Sequence, residues 1–214
     1  MALLDSYADF TQYKDANKLL SDTDEISITD LLLLNSRRLE KLLRVAPGYF
    51  NTHTATYTFD GHGGSVLYLR DRAGLAYCLT AITADSLLID DDADGTFDDY
   101  TLDLADAWVR GLPENAASQS EPFRRLELLP LSTATITAWP KAAASVQITG
   151  TWGWAAVPSA VRESVIALTR DARETLAAGA TQQLPEFPFE VRPDTWARVM
   201  TMANLYGRKV PRVA

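Results

Sequence analysis

The hydrophobic pattern of this chain changes twice along its length, and these changes limit the folds that it can adopt. Helical spacing of apolar residues dominates the first part of the chain and returns after Pro158. The stretch between contains short runs of β-branched and aromatic residues separated by turn residues, which is typical of strands. This order predicts an α+β fold: an antiparallel helical bundle scaffold, residues 1–50 and 157–214, is interrupted by a β-rich, sheet- or sandwich-like insertion, residues 51–156.

Four helices are predicted, and the second and third have the clearest patterns. Leu32, Leu39 and Leu43 share one stripe of the second helix, for which Thr29 is the expected N-cap. Glycines follow the third and fourth helices as stop signals. The charged residues expected on a solvated face of the second helix are Arg37, Arg38, Glu40 and Lys41. The predicted ranges are 5–17, 30–44, 158–178 and 193–206.

Short strands are predicted throughout the insertion. The first two flank the turn sequence Asp60-Gly61-His62-Gly63-Gly64, which indicates a β-hairpin. Several short strands at this spacing favour a compact sheet, a sandwich or a small barrel. The predicted ranges are 52–59, 66–69, 77–83, 86–89, 100–104, 125–129, 133–138 and 145–150.

The negative charge of the chain is concentrated in one segment. Residues 85–106 contain nine aspartates and no Lys or Arg, so the rest of the chain carries +1 against a total of −8. The C-terminal segment, with Arg208, Lys209 and Arg212, is basic. A net acidic chain is a poor sequence-independent binder of nucleic acid, because phosphate neutralisation needs clustered cations. One acidic patch and one basic end can instead pair copies of the chain, or bind a charged partner.

The sequence Asp90-Asp-Asp-Ala-Asp-Gly95 matches the opening of a calcium-binding loop, in which carboxylates at alternate positions converge on one cation. Thr101 stands where the bidentate Glu of such a loop is expected, and strands rather than helices flank the segment. Two interpretations stay open. One is an acidic β-turn set by Asp94 and Gly95. The other is a Ca²⁺ site whose candidate ligands are Asp90, Asp92, Asp94 and Asp98.

Catalytic patterns are missing from the sequence. His53 and His62 both lie in the first predicted hairpin, without the spacing of a metal pair. The Gly61–Ser65 stretch is not a phosphate-binding loop, since no Gly-Lys-Ser/Thr follows it. Cys78, with apolar neighbours, is expected to be a buried, inert thiol. We therefore predict that the protein is not an enzyme and has no catalytic residues, cofactor-binding residues or assigned metal ligands.

The expected location of the protein follows from what its sequence lacks. Its single cysteine rules out an intrachain disulfide. The N-terminus does not have the pattern of a signal peptide. The longest aliphatic run, Leu31–Leu34, is far shorter than a membrane span. We expect a soluble, intracellular protein that does not bind membranes.

One segment resembles a known family. The stretch VQITGTWGWAAVP, Val146 to Pro158, precedes an amphipathic helix and is similar to the "ItGtwGw…vP" segment of head–tail connector proteins of tailed bacteriophages. In that family the segment closes the β region and opens the next helix. Weaker matches occur in the same order: the two N-terminal helices, the Tyr57–Leu69 segment, and Leu112–Asn115 with Pro122. The resemblance covers most of the chain.

The resemblance implies a structural virion protein, the head–tail connector or adaptor. Such a protein forms a ring, usually twelvefold, between the portal and the tail, and DNA passes through its lumen without specific binding. It implies the portal protein and a tail or head-closure protein as partners. It also implies a location at the capsid vertex, after assembly in the host cytoplasm. The extended segment 208–214 is the first candidate for an arm that docks onto the portal.

Two alternative functions stay open. The first is another tail-completion or head-closure protein, although such proteins are usually dominated by β structure. The second is a calcium-dependent binding module, for instance for carbohydrate, that uses the loop from Asp90 to Asp98. Dependence of ligand binding on calcium would separate the second alternative from a connector.

Overall fold

The computed structural model describes residues 5–18, 25–104, 108–114, 116, 120–131, 134, 136–178 and 191–206. These residues form four helices and seven strands. The helices are α1 (Phe10–Asn17), α2 (Glu25–Leu43), α3 (Ser159–Ala178) and α4 (Pro193–Tyr206). The strands are β1 (His53–Phe59), β2 (Val66–Tyr68), β3 (Leu79–Ile89), β4 (Tyr100–Leu102), β5 (Val109–Leu112), β6 (Arg125–Leu128) and β7 (Val146–Trp152).

The chain divides into two units. The helical unit comprises Met1–Gly48 and Val157–Ala214, and the sheet unit comprises Tyr49–Ala156. All described helices belong to the first unit and all described strands to the second. None of the described helices is both long enough and apolar enough to cross a membrane.

Two antiparallel sheets form the sheet unit. One has the strand order β1-β7-β3-β4, and the other has the order β2-β6-β5. Strand β7 is an inner strand of the larger sheet, and its side chains alternate between buried and half-buried positions. This alternation places Val146, Ile148 and Trp152 in the core of the unit.

A hydrophobic core fills the sheet unit and draws on both sheets. Burial of this apolar surface is the main favourable contribution to folding. Its buried members are Phe59, Leu67, Leu69, Leu79, Leu87, Ile89, Leu102, Trp108, Val109, Leu126, Leu128, Trp139, Val146, Ile148 and Trp152.

The predicted helical bundle scaffold with a β-rich insertion is wrong as a description of the fold. The structure is a mixed α+β fold in which β-sheet predominates, with two antiparallel sheets around a core of their own. The error has a physical origin. Helices of 19 and 20 residues repeat their apolar period several times. Strands of three or four residues alternate only once or twice, so the sequence pattern understates their share of the fold.

The predicted first hairpin is also wrong. Both of its strands exist, but β1 pairs with β7 and β2 pairs with β6, in different sheets. The glycine-rich turn therefore connects two sheets. The N–H of Gly61 donates a 2.9 Å hydrogen bond to the carbonyl of Ala142. A Cβ on Gly61 would lie 2.0 Å from the carbonyl oxygen of Pro140, so this approach requires glycine.

Other strand predictions differ in detail. The predicted strands 77–83 and 86–89 form the single strand β3, whose pairing with β7 shifts register between Ile82 and Leu87. Asp85, with φ of 54°, lies within this irregular stretch. Strand β5 was missed because Gly111 and the following Pro113 indicate a turn. In the predicted strand 133–138, residues 133 and 135 lie outside the described residues, and the others are not in a strand.

The helix predictions are closer, although their caps and faces differ. Helix α2 begins at Glu25, so Thr29 lies inside the helix and is not its N-cap. Helix α4 has the predicted bounds, with Met202 buried and Met200 40% exposed. The expected stops Gly179 and Gly207, and the segment 208–214, lie outside the described residues.

Glu40 is the main departure from the expected solvated face of α2. Its side chain is 3% exposed and accepts hydrogen bonds from the Tyr7 hydroxyl and from Arg37. It also accepts a 2.6 Å bond from the backbone N–H of Gly48. The carboxylate therefore holds the N-terminal segment, α2 and the chain after α2 together within the helical unit.

Candidate functional site

The acidic segment connects two paired strands. Strands β3 and β4 are antiparallel, with Leu87 opposite Leu102 and Ile89 opposite Tyr100. Residues 90–99, which we call the acidic loop, therefore begin and end at adjacent positions of one sheet. The strand pairing brings the last aspartate of the loop back beside its first residues.

Asp90 is the buried end of the acidic loop. It is 5% exposed, and its backbone N–H donates a 3.0 Å bond to the carbonyl of Ser145. Its Oδ2 accepts a 3.0 Å bond from the N–H of Gly95. Its Oδ1 is buried and has no hydrogen-bond partner among the described residues. Buried carboxylate oxygens are normally paired, so this atom needs an explanation.

Asp99 closes the loop from the opposite side. Its Oδ2 accepts bonds of 2.6 Å and 3.2 Å from the N–H groups of Asp91 and Asp92. Asp92 in turn accepts a 3.1 Å bond at Oδ1 from the N–H of Asp94. One carboxylate oxygen from each of Asp90, Asp92 and Asp99 lies within 4.8 Å of the other two. This group is the only set of three or more metal-ligating side chains found among the described residues.

Two of the four candidate calcium ligands are not in this group. The Thr96 hydroxyl lies 2.5 Å from Asp94 Oδ1 and 2.9 Å from Asp98 Oδ1, and donates to these oxygens. The N–H of Thr96 donates a further 2.7 Å bond to Asp94. The calcium-loop spacing predicts Asp94 and Asp98 and misses Asp99. That rule describes ligands on a loop between helices, whereas here strand pairing decides which residues meet.

The pKa values of the loop carboxyls respond to these contacts. Hydrogen bonds from the hydroxyl and N–H of Thr96 lower the pKa of Asp94. The N–H of Asp94 acts to lower the pKa of Asp92, but partial desolvation and the charges on Asp94, Asp99 and Asp90 outweigh it. The pKa of Asp92 is therefore raised, which indicates that negative charge accumulates at this carboxylate.

The segment that carries the family resemblance forms the exit from strand β7. A Cβ on Gly150 would lie 2.3 Å from the carbonyl oxygen of Ala81 on the neighbouring strand. A Cβ on Gly153 would lie 1.9 Å from the carbonyl oxygen of Asn51, and Gly153 has φ of 91°. The N–H of Gly153 donates a 2.9 Å bond to the carbonyl of Cys78. Both glycines are therefore required by backbone packing.

The tryptophans of this segment are core residues. Trp152 is 1% exposed, and its Nε1–H donates a 2.9 Å bond to the carbonyl of Ala55. The ring of Tyr57 meets Trp152 edge-on at 4.9 Å, and Phe59 lies 5.7 Å away. Trp154 is 6% exposed and stacks in a tilted arrangement on Phe50. This exit is a packed aromatic corner of the sheet unit.

The remaining candidates for chemistry stand apart from the acidic loop. His62 is exposed in the loop after β1, whereas His53 lies on β1, with its Nε2 at 3.1 Å from the Tyr57 hydroxyl. Cys78 is 2% exposed, and its thiol donates to the carbonyl of Tyr49 at 3.3 Å. Burial raises the pKa of this thiol to about 12, so it is protonated at neutral pH.

No protein-family model matches the chain, and a search of the curated proteins finds no match.

Proposed function

We propose that this chain is a structural subunit of a tailed-phage virion: a head–tail connector that forms a ring between the portal and the tail. The observation that carries the proposal is the segment from Val146 to Pro158, which resembles the segment that closes the β region and opens the next helix in that family. The position of the segment supports this. Strand β7 ends at Trp152, Gly153 makes the turn, and α3 begins at Ser159.

The geometry of the strand exit supports the proposal further, because it explains physically why glycines and tryptophans occupy these positions of the segment. Gly150 and Gly153 occupy positions at which a Cβ would collide with backbone atoms. Trp152 and Trp154 fill the core beside them. The residues that carry the resemblance are therefore ones that backbone packing and core burial require between β7 and α3. The resemblance does not depend on amino-acid composition alone.

Charge supports a role in assembly. A head-to-tail ring needs two different, complementary patches on each subunit. The acidic loop presents Asp91, Asp92, Asp94, Asp98 and Asp99 as exposed side chains. We propose that it either meets a basic patch of the next subunit or faces the lumen, where like charge would keep DNA from adhering. A ring reconstruction with this loop on the outer rim, away from subunit contacts, would refute this part of the proposal.

The experiment that tests the function is reconstitution with the portal protein encoded in the same genome. We expect the purified chain to form a ring on the portal, visible by electron microscopy and with one subunit per portal subunit in native mass spectrometry. Failure to form a stoichiometric complex at micromolar concentrations would contradict the connector proposal.

A matched pair of variants tests the proposed docking arm. One variant replaces the basic residues of the C-terminal segment, Arg208, Lys209 and Arg212, with Gln. The control replaces three exposed basic residues elsewhere, Lys41, Arg125 and Lys141, with Gln. We expect the first variant to lose portal binding and the control to keep it. Equal losses would indicate a general effect of net charge and contradict a specific arm.

The predominance of β-sheet favours one second candidate, a tail-completion or head-closure protein, since such proteins are usually dominated by β structure. The same reconstitution separates the two candidates. A connector binds the portal directly, whereas a head-closure protein would bind only after another ring protein had occupied the portal.

A further inference from the structure

We propose that the acidic loop contains a binding site for a hard divalent cation, with Asp90, Asp92 and Asp99 as its protein ligands and Ca²⁺ as its best-suited ion. This inference goes beyond the proposed virion function and does not depend on it. Four observations carry it: the spacing of the three carboxylates, the unpartnered oxygen of Asp90, the backbone bonds that position Asp92 and Asp99, and the absence of basic residues from the segment.

The spacing suits one ion. One oxygen from each of Asp90, Asp92 and Asp99 lies within 4.8 Å of the other two. Two oxygens that bind the same Ca²⁺ at about 2.4 Å can be at most about 4.8 Å apart, and all three pairs of oxygens lie within this limit. The ligand set contains only oxygen, which favours Ca²⁺ or Mg²⁺ over Zn²⁺, whose sites use His and Cys.

The buried carboxylate of Asp90 points to a ligand independently of the acidic composition. Asp90 is 5% exposed, and its Oδ1 has no hydrogen-bond partner among the described residues. Its carboxylate contributes one of the three clustered oxygens. A buried carboxylate oxygen is destabilising unless a donor, a water molecule or a cation pairs with it. A cation held between Asp90 and the two exposed aspartates would satisfy this group.

The loop holds the other two carboxylates in place with backbone bonds. The N–H groups of Asp91 and Asp92 hold Asp99, and the N–H of Asp94 holds Asp92. Each carboxylate accepts these bonds with part of its roughly four lone-pair sites, so capacity is left for an ion. Ligands held in this way lose little conformational freedom when an ion binds.

No basic side chain of the described residues takes the place of the proposed ion. Residues 85–106 contain no Lys or Arg, and among the described residues no ion pair joins the acidic loop to a basic side chain. Three clustered carboxylates carry −3, which one divalent ion reduces to −1. Ca²⁺ is favoured over Mg²⁺ because it accepts irregular oxygen sets with bidentate carboxylates, whereas Mg²⁺ requires a near-octahedral arrangement.

The test is calorimetric titration of the EDTA-treated full-length protein with CaCl₂, together with thermal unfolding in EDTA and in Ca²⁺. We expect one Ca²⁺ per chain, a higher melting temperature in Ca²⁺, and binding of Mg²⁺ at least about tenfold weaker. No heat of binding and no change in melting temperature at millimolar Ca²⁺ would overturn the proposal. Binding of Mg²⁺ as tight as that of Ca²⁺ would overturn the assignment of the ion.

The chain offers a matched control in the neighbouring aspartate. Asp99→Asn removes a proposed ligand, whereas Asp98→Asn removes the same charge from a carboxylate that Thr96 holds. We expect Asp99→Asn to weaken Ca²⁺ binding at least about tenfold and Asp98→Asn to weaken it less than about threefold. Equal effects would show that diffuse attraction of the acidic loop, and not a defined site, binds the ion.

A second pair of variants distinguishes loss of the site from a folding defect. Such a defect could arise in Asp99→Asn because Asp99 also accepts backbone hydrogen bonds within the loop. If Asp99→Asn melts at a lower temperature than the parent protein in EDTA, Asp92→Asn is compared with Asp94→Asn. We expect only Asp92→Asn to lose binding. Loss of binding in both variants would assign the site to the alternate-position spacing, which includes Asp92 and Asp94, and would refute the group proposed from the structure.

Discussion

Gly153 and Asn51 approach so closely that a Cβ on Gly153 would lie 1.9 Å from the carbonyl oxygen of Asn51. Gly153 also has φ of 91°, a conformation that residues with side chains rarely adopt. The contact joins the start of the sheet unit to its end, since these residues lie just before β1 and just after β7. The exit of β7 is thus fixed by backbone contact as well as by its aromatic side chains.

We expect Gly153→Ala to destabilise the protein by about 3 kcal/mol or more, because strain at positive φ adds to a steric clash. Gly150→Ala should be similarly damaging, since its Cβ would lie 2.3 Å from the Ala81 carbonyl oxygen. Gly64→Ala is the control, because a Cβ added at Gly64 would have no heavy atom within 4 Å other than those of its chain neighbours. Urea unfolding measures all three. A comparable loss in Gly64→Ala would contradict the packing explanation.

Glu40→Gln should lower the free energy of unfolding by about 2–3 kcal/mol, because it weakens charge-assisted hydrogen bonds to a buried carboxylate. The partners are the Tyr7 hydroxyl, Arg37 and the N–H of Gly48. The matched control is Glu163→Gln, whose side chain is 60% exposed and lies 3.8 Å from Arg198. That change should cost less than about 0.5 kcal/mol. Equal losses in urea unfolding would show that Glu40 has no special role.

Asp60 should make stability depend on pH in the acidic range. The N–H of Ala144, at 2.7 Å, lowers the pKa of Asp60, and Arg72 lowers it further against the opposing effect of desolvation. A carboxyl whose folded pKa is depressed stabilises the protein above its unfolded pKa of about 3.9. This stability is lost as the pH falls through the folded pKa.

Asp60→Asn should therefore destabilise the protein by about 1 kcal/mol at about pH 7, and by progressively less as the pH falls below about 4. Urea unfolding of both proteins across this range measures the difference. Arg72→Gln, which leaves the Ala144 bond in place, should reproduce only part of the effect. If the difference in free energy of unfolding between the two proteins stayed constant with pH, titration of Asp60 would not be its source.

Cys78 should not react in the folded protein. Burial raises the pKa of its thiol to about 12, so at about pH 8 roughly one molecule in ten thousand carries the thiolate. We expect no labelling by Ellman's reagent under native conditions, and one thiol per chain after denaturation in guanidinium chloride. Rapid stoichiometric labelling of the native protein would contradict the buried position of the side chain.

The sequence predicts features that depend on neighbours along the chain. The bounds of α4 are as predicted, and α3 differs by one residue at its start. Strands β1 and β7 lie close to their predicted ranges. The side chains of Leu32, Leu39 and Leu43 are buried, as their spacing indicates. Helical period, strand alternation, proline and glycine are local signals, so they locate elements without reference to the rest of the fold.

The candidate site is predictable only in part, because sequence patterns contain information only about residues that are close along the chain. The acidic loop and its place between strands are visible in the sequence, and the calcium-loop spacing includes Asp90 and Asp92. It does not include Asp99, because a spacing rule cannot detect that β3 and β4 bring residues nine positions apart to the same place. The burial of Asp90 also depends on its backbone bond to Ser145, far along the chain.

The sequence alone determined where the helices and strands β1 and β7 form, where the negative charge lies, and that the single thiol has apolar neighbours along the chain. Only the tertiary structure decided that His53 pairs with Trp152, that β1 and β2 belong to different sheets, and that Asp99 joins Asp90 and Asp92. The physical reason is that strand pairing and core burial act between distant residues. Their outcome depends on the free energy of the whole sheet unit, which no local pattern contains.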